Sequence, residues 1–258
     1  GADFAMSWQS IVKLLGANAV PIQLPVGAEA GFKGHALVVS PGEANKTLDT
    51  ARHLYERLID LRAERGQAIV ALGGGMIGDL AGFVAATFLR GVPLVQVPTS
   101  LVAMVDASLG GKVAVDMPQA KNLVGAFYPP RLVLADVSTL TTLPRRELVS
   151  AFAEVIKHAL IQDADMVSLL EEKAPDLLSL DPKLTTEVVR RSAGVKAKVV
   201  AEDERDEGIR IILNFGHTIG HGLESASGYR LLHGEAVAVG MVGATMISHR
   251  LGLVSQDV

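Results

Sequence analysis

The chain has 258 residues, 49% of them hydrophobic and 20% charged, which excludes extensive disorder and suffices for one large domain or two modest ones. It contains no cysteine, which removes disulfides, thiolate zinc sites, iron–sulfur clusters and cysteine nucleophiles together and fits a reducing, cytoplasmic compartment. A net charge of −4 without a long basic run argues against nucleic acid, and no apolar stretch reaches the roughly 20 residues of a membrane span.

No charged segment followed by an apolar one opens the chain, so no signal peptide is expected. Ala36–Ser40 (ALVVS) predicts a strand and Leu48–Arg65 an amphipathic helix. Ala68–Leu72 (AIVAL) predicts a buried strand, followed by a glycine loop and a helix over Met76–Leu89. Val92–Val97 and Leu132–Ala135 are further predicted strands. Continuous apolar strands alternating with helices predict a Rossmann-like α/β domain, its parallel sheet covered on both faces. From Pro144 onward only helices are predicted: to about Ile161, then Val167–Leu177, Lys183–Glu202, Asn214–Ala226 and His233–Leu251. The expected domains are 1–143, α/β and of nucleotide-binding type, and 144–258, all-α. Five of the seven histidines fall in the second, so metal ligands are sought there.

The loop Gly73-Gly74-Gly75-Met76-Ile77-Gly78-Asp79 lies between a strand and a helix. Glycines let backbone approach a bulky anion, and a helix start offers N–H groups to phosphate. A tight turn that binds nothing is the plain alternative. The spacing GGGxxGD differs from the dinucleotide fingerprint, and Asp79 would repel phosphate unless it bonds a sugar or an amide.

In the helical half, Glu154, Lys157 and His158 share one turn, His217 and His221 stand at i and i+4, and His233 lies farther on. Two histidines and one glutamate from different helices suit a divalent cation and leave a coordination position open. Taken singly, each histidine reads equally as a cap or a solvent-facing side chain. HxxxH without an intervening glutamate is not the zinc-protease motif. Lys112, Lys121, Lys157, Lys196 and Arg210 read singly as solvated charges; together they predict an anionic substrate.

The blocks GGGMIGDLAGF, FLRGVPLVQVPTSLVAMVDASLGGK, KNLVGAFYPP, TLPRRE, AEVIKHALI, KAKVVAEDERDEG, LNFGHTIGHGLE and LLHGEAVAVGM, with PGEANK before them, resemble the 3-dehydroquinate synthase family in content and order. The resemblance implies an NAD- and Zn2+- or Co2+-dependent lyase. It would convert 3-deoxy-D-arabino-heptulosonate 7-phosphate into 3-dehydroquinate and phosphate, with NAD regenerated in each cycle and the phosphate itself a candidate base. It implies Glu154, His217 and His233 as metal ligands and His221 as a neighbouring proton relay. Lys157, Lys196, Arg210 and Asn214 would hold the substrate carboxylate and hydroxyls, with Lys112 and Asn122 on the phosphate side. Arg90 would reach into a partner subunit's site, which implies a homodimer. Glu43, Lys46, Gly74, Gly75, Asp79, Thr99, Ser100, Asp106, Lys121 and Thr142 would contact NAD.

Against the family pattern, Ser100, Val113 and Gly222 stand where Thr, Thr and Ala are expected. The N-terminal stretch shows no clear first strand–helix unit and no acidic residue for the adenosine ribose. The resemblance also implies a chain truncated at its C-terminus, lacking the family's last helices, with their apolar contacts uncovered and activity weak or absent. Alternatives are a sister sugar-phosphate cyclase making 2-deoxy-scyllo-inosose or a valiolone, a metal-dependent polyol dehydrogenase, or an inactive fragment.

Overall fold

The computed structural model describes residues 34–228 and 230–255. They divide into two compact units: residues up to Thr99 with Gly111–Asp136, and Ser100–Gly110 with the residues from Val137 onward. The expectations about the N-terminal stretch lie outside the described residues.

In the first unit, helix α1 (Leu48–Asp60) starts where Thr47 Oγ1 accepts the Thr50 N–H at 3.2 Å. It ends five residues short of the predicted Arg65. Arg62 turns left-handed (φ 53°), and the Ala63 N–H bonds Leu58 O at 2.9 Å, closing the last turn. Strand β1 (Ile69–Gly73) leads through the glycine loop into α2 (Gly75–Thr87), and β2 (Leu94–Pro98) returns parallel to β1, Ile69 beside Leu94. Every residue of β2 is buried, as expected of a strand with neighbours on both edges and cover on both faces.

Two corrections apply here. Ala36–Ser40 forms no strand among the described residues: a β-branched run favours extended backbone, but a strand also needs a partner ladder, and Val39 only packs onto the core of Ala51, Leu80, Phe83, Val84, Val113 and Val115. Residues 112–127, for which no strand is predicted above, form an antiparallel hairpin, β3 (Lys112–Met117) and β4 (Ala120–Phe127). The short β5 (Leu132–Val133) completes the parallel sheet in the order β1-β2-β5.

The second unit is helical. Ala103–Ala107 form a π turn, followed later by α3 (Arg145–Gln162), α4 (Ala164–Leu178), α5 (Pro182–Glu202), α6 (His217–Ala226) and α7 (His233–Arg250). Asp163 and Asp181 cap α4 and α5 through the Met166 and Leu184 N–H groups. Helix α6 begins three residues later than predicted, because Ile209–Asn214 coil as a 3-10 helix and Gly216 adopts φ 81°. Leu101, Met104, Val105, Leu140, Leu148, Val155 and Val188 form the core. Val239, Val242, Met246 and Ile247 on α7 are exposed. No helix among the described residues is long and apolar enough to cross a membrane.

Candidate active site

Helix α3 is the spine of the second unit's site. Glu154 and Lys157, one turn apart, are both almost wholly buried and form an ion pair. Close backbone approach brings the histidines to them. A Cβ on Gly234 would overlap Ser150 O, so the start of α7 lies directly on α3 one turn before Glu154. A Cβ on Gly240 would overlap Gly216 O, so α6 and α7 also touch backbone to backbone. Glu235 pins the first turn of α7: it accepts the Leu232 N–H at 2.9 Å and both arms of the Arg146 fork at 2.7 Å. Arg146 holds the Glu235 carboxyl down at about 2.

Around Glu154 Oε1 stand His233 Nε2 at 3.3 Å and His217 Nε2 at 3.5 Å, the two rings 5.2 Å apart between centroids. Ligand atoms of the three residues lie within 4.8 Å of one another. Neither buried oxygen of Glu154 receives an aligned hydrogen bond, so the carboxylate is desolvated without full compensation. Burial would raise its pKa, but His233, Lys157 and His217 hold it below the ordinary value. Burial and the Lys157 charge push His217 down. Burial also opposes protonation of His233, yet its contact with Glu154 and the charges of Glu154 and Glu224 hold it above the usual histidine value. A buried carboxylate facing two imidazoles, neither of its oxygens receiving an aligned hydrogen bond, is a donor set that fits a divalent cation.

Behind this trio, Lys196 Nζ bonds Asp106 Oδ1 at 2.6 Å. Burial would raise Asp106, but Lys196, Lys157 and His158 hold it far below the carboxylate range. His158 bonds Ser192 Oγ through Nδ1 at 2.8 Å, and burial pushes its imidazole down to about 4. Arg210 is buried, its fork donating to Glu204 O at 2.8 Å and Gly110 O at 3.2 Å. His221 is 63% exposed, its ring 5.4 Å from that of His217. Asn214 is exposed at the end of its 3-10 turn. Ser100 Oγ accepts the Ala103 N–H at 3.4 Å, and Thr142 bonds Thr139 O, away from this trio in sequence.

In the first unit, Gly74 occupies the N-cap of α2 and Gly75 its first turn, so no side chain caps that helix start. Lys46, 3% exposed, is the hub nearby: its Nζ lies 2.7 Å from both Glu43 Oε1 and Asn122 Oδ1, 3.3 Å from Asp79 Oδ2 and 3.5 Å from Asp116 Oδ1. Asn122, left-handed at φ 58°, donates its N–H to Asp116. Thr99 N–H bonds Gly73 O, tying the strand end to the loop. Lys112 and Lys121 are exposed on the hairpin. Arg90 is exposed on a turn with consecutive left-handed residues, Leu89 at φ 50° and Arg90 at φ 65°.

Burial pushes the Asp79 carboxyl up to about 6, against the pull of Lys46. An acid whose folded pKa exceeds its unfolded one binds its proton more tightly when folded, so this group stabilises the fold at low pH and the benefit fades as pH rises from about 4 through about 6. Asp79→Asn removes that dependence. Urea-unfolding free energies at about pH 4 and about pH 7 are expected to shift relative to each other in the variant, the neutral-pH value gaining. An unaltered difference would show that Asp79 does not titrate in this interval.

Glu224, Asp116 and Ser192 escaped the sequence reading as site residues. Glu224 had a signal: it extends the His217/His221 stripe to i+7. Asp116 and Ser192 are brought in by tertiary packing.

The arrangement, an α/β unit with a glycine-loop helix start and a helical unit with a buried Glu–His–His set, is that of the sugar-phosphate cyclases. The 2-epi-5-epi-valiolone synthase of Streptomyces hygroscopicus, solved with NAD+ and Zn2+ bound, superposes with a TM-score of 0.83 at 30% identity over 89% of this chain and 65% of that one. A 2-deoxy-scyllo-inosose synthase complexed with carbaglucose-6-phosphate, NAD+ and Co2+ gives 0.78 at 37% identity, over 87% and 61%. Within that class the chain belongs to the 3-dehydroquinate synthase family: the family's N-terminal profile matches residues 36–150 and its C-terminal profile residues 151–258. The 3-dehydroquinate synthase of Symbiobacterium thermophilum is 54% identical over 228 residues, 88% of this chain. The chain spans 64% of that relative's length.

Proposed function

We propose that the chain catalyses the family reaction, converting 3-deoxy-D-arabino-heptulosonate 7-phosphate to 3-dehydroquinate and phosphate. The observation that carries this is buried Glu154, paired with Lys157 through Oε2 and facing His217 and His233 with Oε1, in a chain of this family. Glu154, His217 and His233 would hold a divalent cation, Zn2+ or Co2+, and the uncapped helix start at Gly74–Gly75 would receive NAD. Bound, the cation supplies Lewis-acid polarisation of a substrate hydroxyl and NAD a reversible hydride acceptor.

The protein's own contribution is charge placement. Lys157 and Lys196 are each fixed by a carboxylate, Glu154 and Asp106, so their positions are set before substrate arrives. Arg210 is fixed by two backbone carbonyls, which supports a role in holding the substrate carboxylate together with Asn214. Lys112 and Asn122 would meet the phosphate side, and His221, exposed beside His217, would exchange protons with solvent. Glu43, Lys46, Asp79, Thr99, Ser100, Asp106, Lys121 and Thr142 would serve the nucleotide. Exposed Arg90 on its left-handed turn would serve a second subunit, making a homodimer. The absence of cysteine supports a cytoplasmic setting.

The test is phosphate release from the heptulosonate phosphate with NAD+ and Zn2+ present, dehydroquinate being followed through a coupled dehydratase. Equal amounts of phosphate and dehydroquinate, without net NADH, are expected. No release from protein with both cofactors bound overturns the assignment for this chain. Turnover of a different sugar phosphate under the same conditions would move it to a sister cyclase.

A further inference from the structure

We propose that Glu224 is a positioning residue that sets the metal-binding edge of His233, an inference that rests on the cation-binding reading of Glu154, His217 and His233. His217, His221 and Glu224 fall at i, i+4 and i+7 on α6, a single stripe of that helix. Opposite them His233, in the first turn of α7, stands between two carboxylates. Its Nε2 lies 3.3 Å from Glu154 Oε1 and its Nδ1 lies 3.4 Å from Glu224 Oε1.

A neutral imidazole that binds a cation must offer a lone pair at one nitrogen and keep its proton on the other. A carboxylate facing Nδ1 favours the proton there. It leaves Nε2 bare on the Glu154 side and makes that nitrogen a stronger donor. Glu224 is suited to this, because its side chain is only 15% exposed and solvent screens its charge poorly. Its other oxygen lies 3.9 Å from His221 Nε2, so the same carboxylate also faces the second imidazole of its stripe. The ligand atoms of His221, Glu224 and His233 also lie within 4.8 Å of one another. Direct ligation by Glu224 is therefore the competing arrangement, and the experiment separates the two.

Co2+ is the probe. Its affinity for the metal-free protein is measured by chelator competition, and its coordination by the visible d–d spectrum, in the parent, Glu224→Gln and Glu224→Leu. Circular dichroism of the metal-free proteins checks the fold. Glu224→Leu is expected to bind Co2+ about 10–100-fold more weakly with an unchanged spectral shape. Glu224→Gln keeps an oxygen acceptor of the same size and is expected to lose less. Equal affinity in all three proteins overturns the proposal, as does a changed spectral shape, which would make Glu224 a ligand. A parent that binds no Co2+ overturns instead the cation reading beneath it. Should the leucine variant fail to fold, Glu224→Ala replaces it, and rescue by glutamine of most of the alanine loss is the expected result.

Discussion

Glu154→Gln is expected to abolish tight Co2+ or Zn2+ binding and to destabilise the metal-free protein by about 3 kcal/mol, the lower part of the range for breaking a buried ion pair. Glutamine keeps the volume, so the loss isolates the charge. Lys157 would then be buried beside a neutral amide, its ion partner gone. Asp106 keeps an attractive field on Lys157, and this places the effect low in the range. Replacing both members with apolar residues, Glu154→Leu with Lys157→Met, is expected to recover much of the stability while metal binding stays lost. Urea unfolding in the presence of a chelator measures the first effect and metal analysis after dialysis the second. A single variant as stable as the parent would mean that Lys157 does not depend on Glu154.

Gly234→Ala is expected to damage the same site without touching a polar group. The added methyl would overlap Ser150 O, a backbone atom that cannot rotate away, so α7 must move off α3. Overpacking of this kind typically costs about 1–3 kcal/mol. His233 is the preceding residue and Glu154 lies one turn beyond Ser150, so the shift separates the two directly. Metal affinity should therefore fall by more than the stability loss alone would require. Ser150→Gly cannot restore it, because it removes the hydroxyl but leaves the nearer obstacle, the carbonyl. An alanine variant that binds Co2+ as tightly as the parent would show that α7 can be displaced without moving the histidine.

Much of the fold is legible in residue order. Buried parallel strands have continuous apolar runs, and AIVAL and the run around Val95 became β1 and β2. The helices from Arg145 onward follow their 3.6-residue period and their Asp caps. The hairpin over 112–127 was not legible because β4 is mostly exposed and lacks alternation, so nothing in it reads as a strand until it pairs with Val113–Val115. ALVVS failed in the opposite way, with strand composition but no ladder among the described residues.

The polar sites divide along similar lines. Glu154–Lys157 and the His217, His221, Glu224 stripe are local, set by one helix, although the last member of the stripe was passed over. Asp106–Lys196 and Lys46–Asp116 join residues far apart in the chain, and only packing brings them together. The same holds for the glycines. Gly234, beside His233, signals a close approach in sequence but not which backbone atom approaches, and Gly240 reads as an unremarkable helix residue.

The division of the chain into units does not follow chain order. Ser100–Gly110 leaves the first unit after Thr99, joins the second, and returns through Gly110 and Gly111, both left-handed at φ 91° and 68°. A last passage follows Asp136. The polypeptide thus changes unit three times. Severing it at residue 150, where the family profiles divide it, would leave the Asp106 segment and the first turn of α3 on one fragment and Glu154 on the other. No single cut releases either unit whole; freeing one intact takes at least two cuts and a rejoining of its segments.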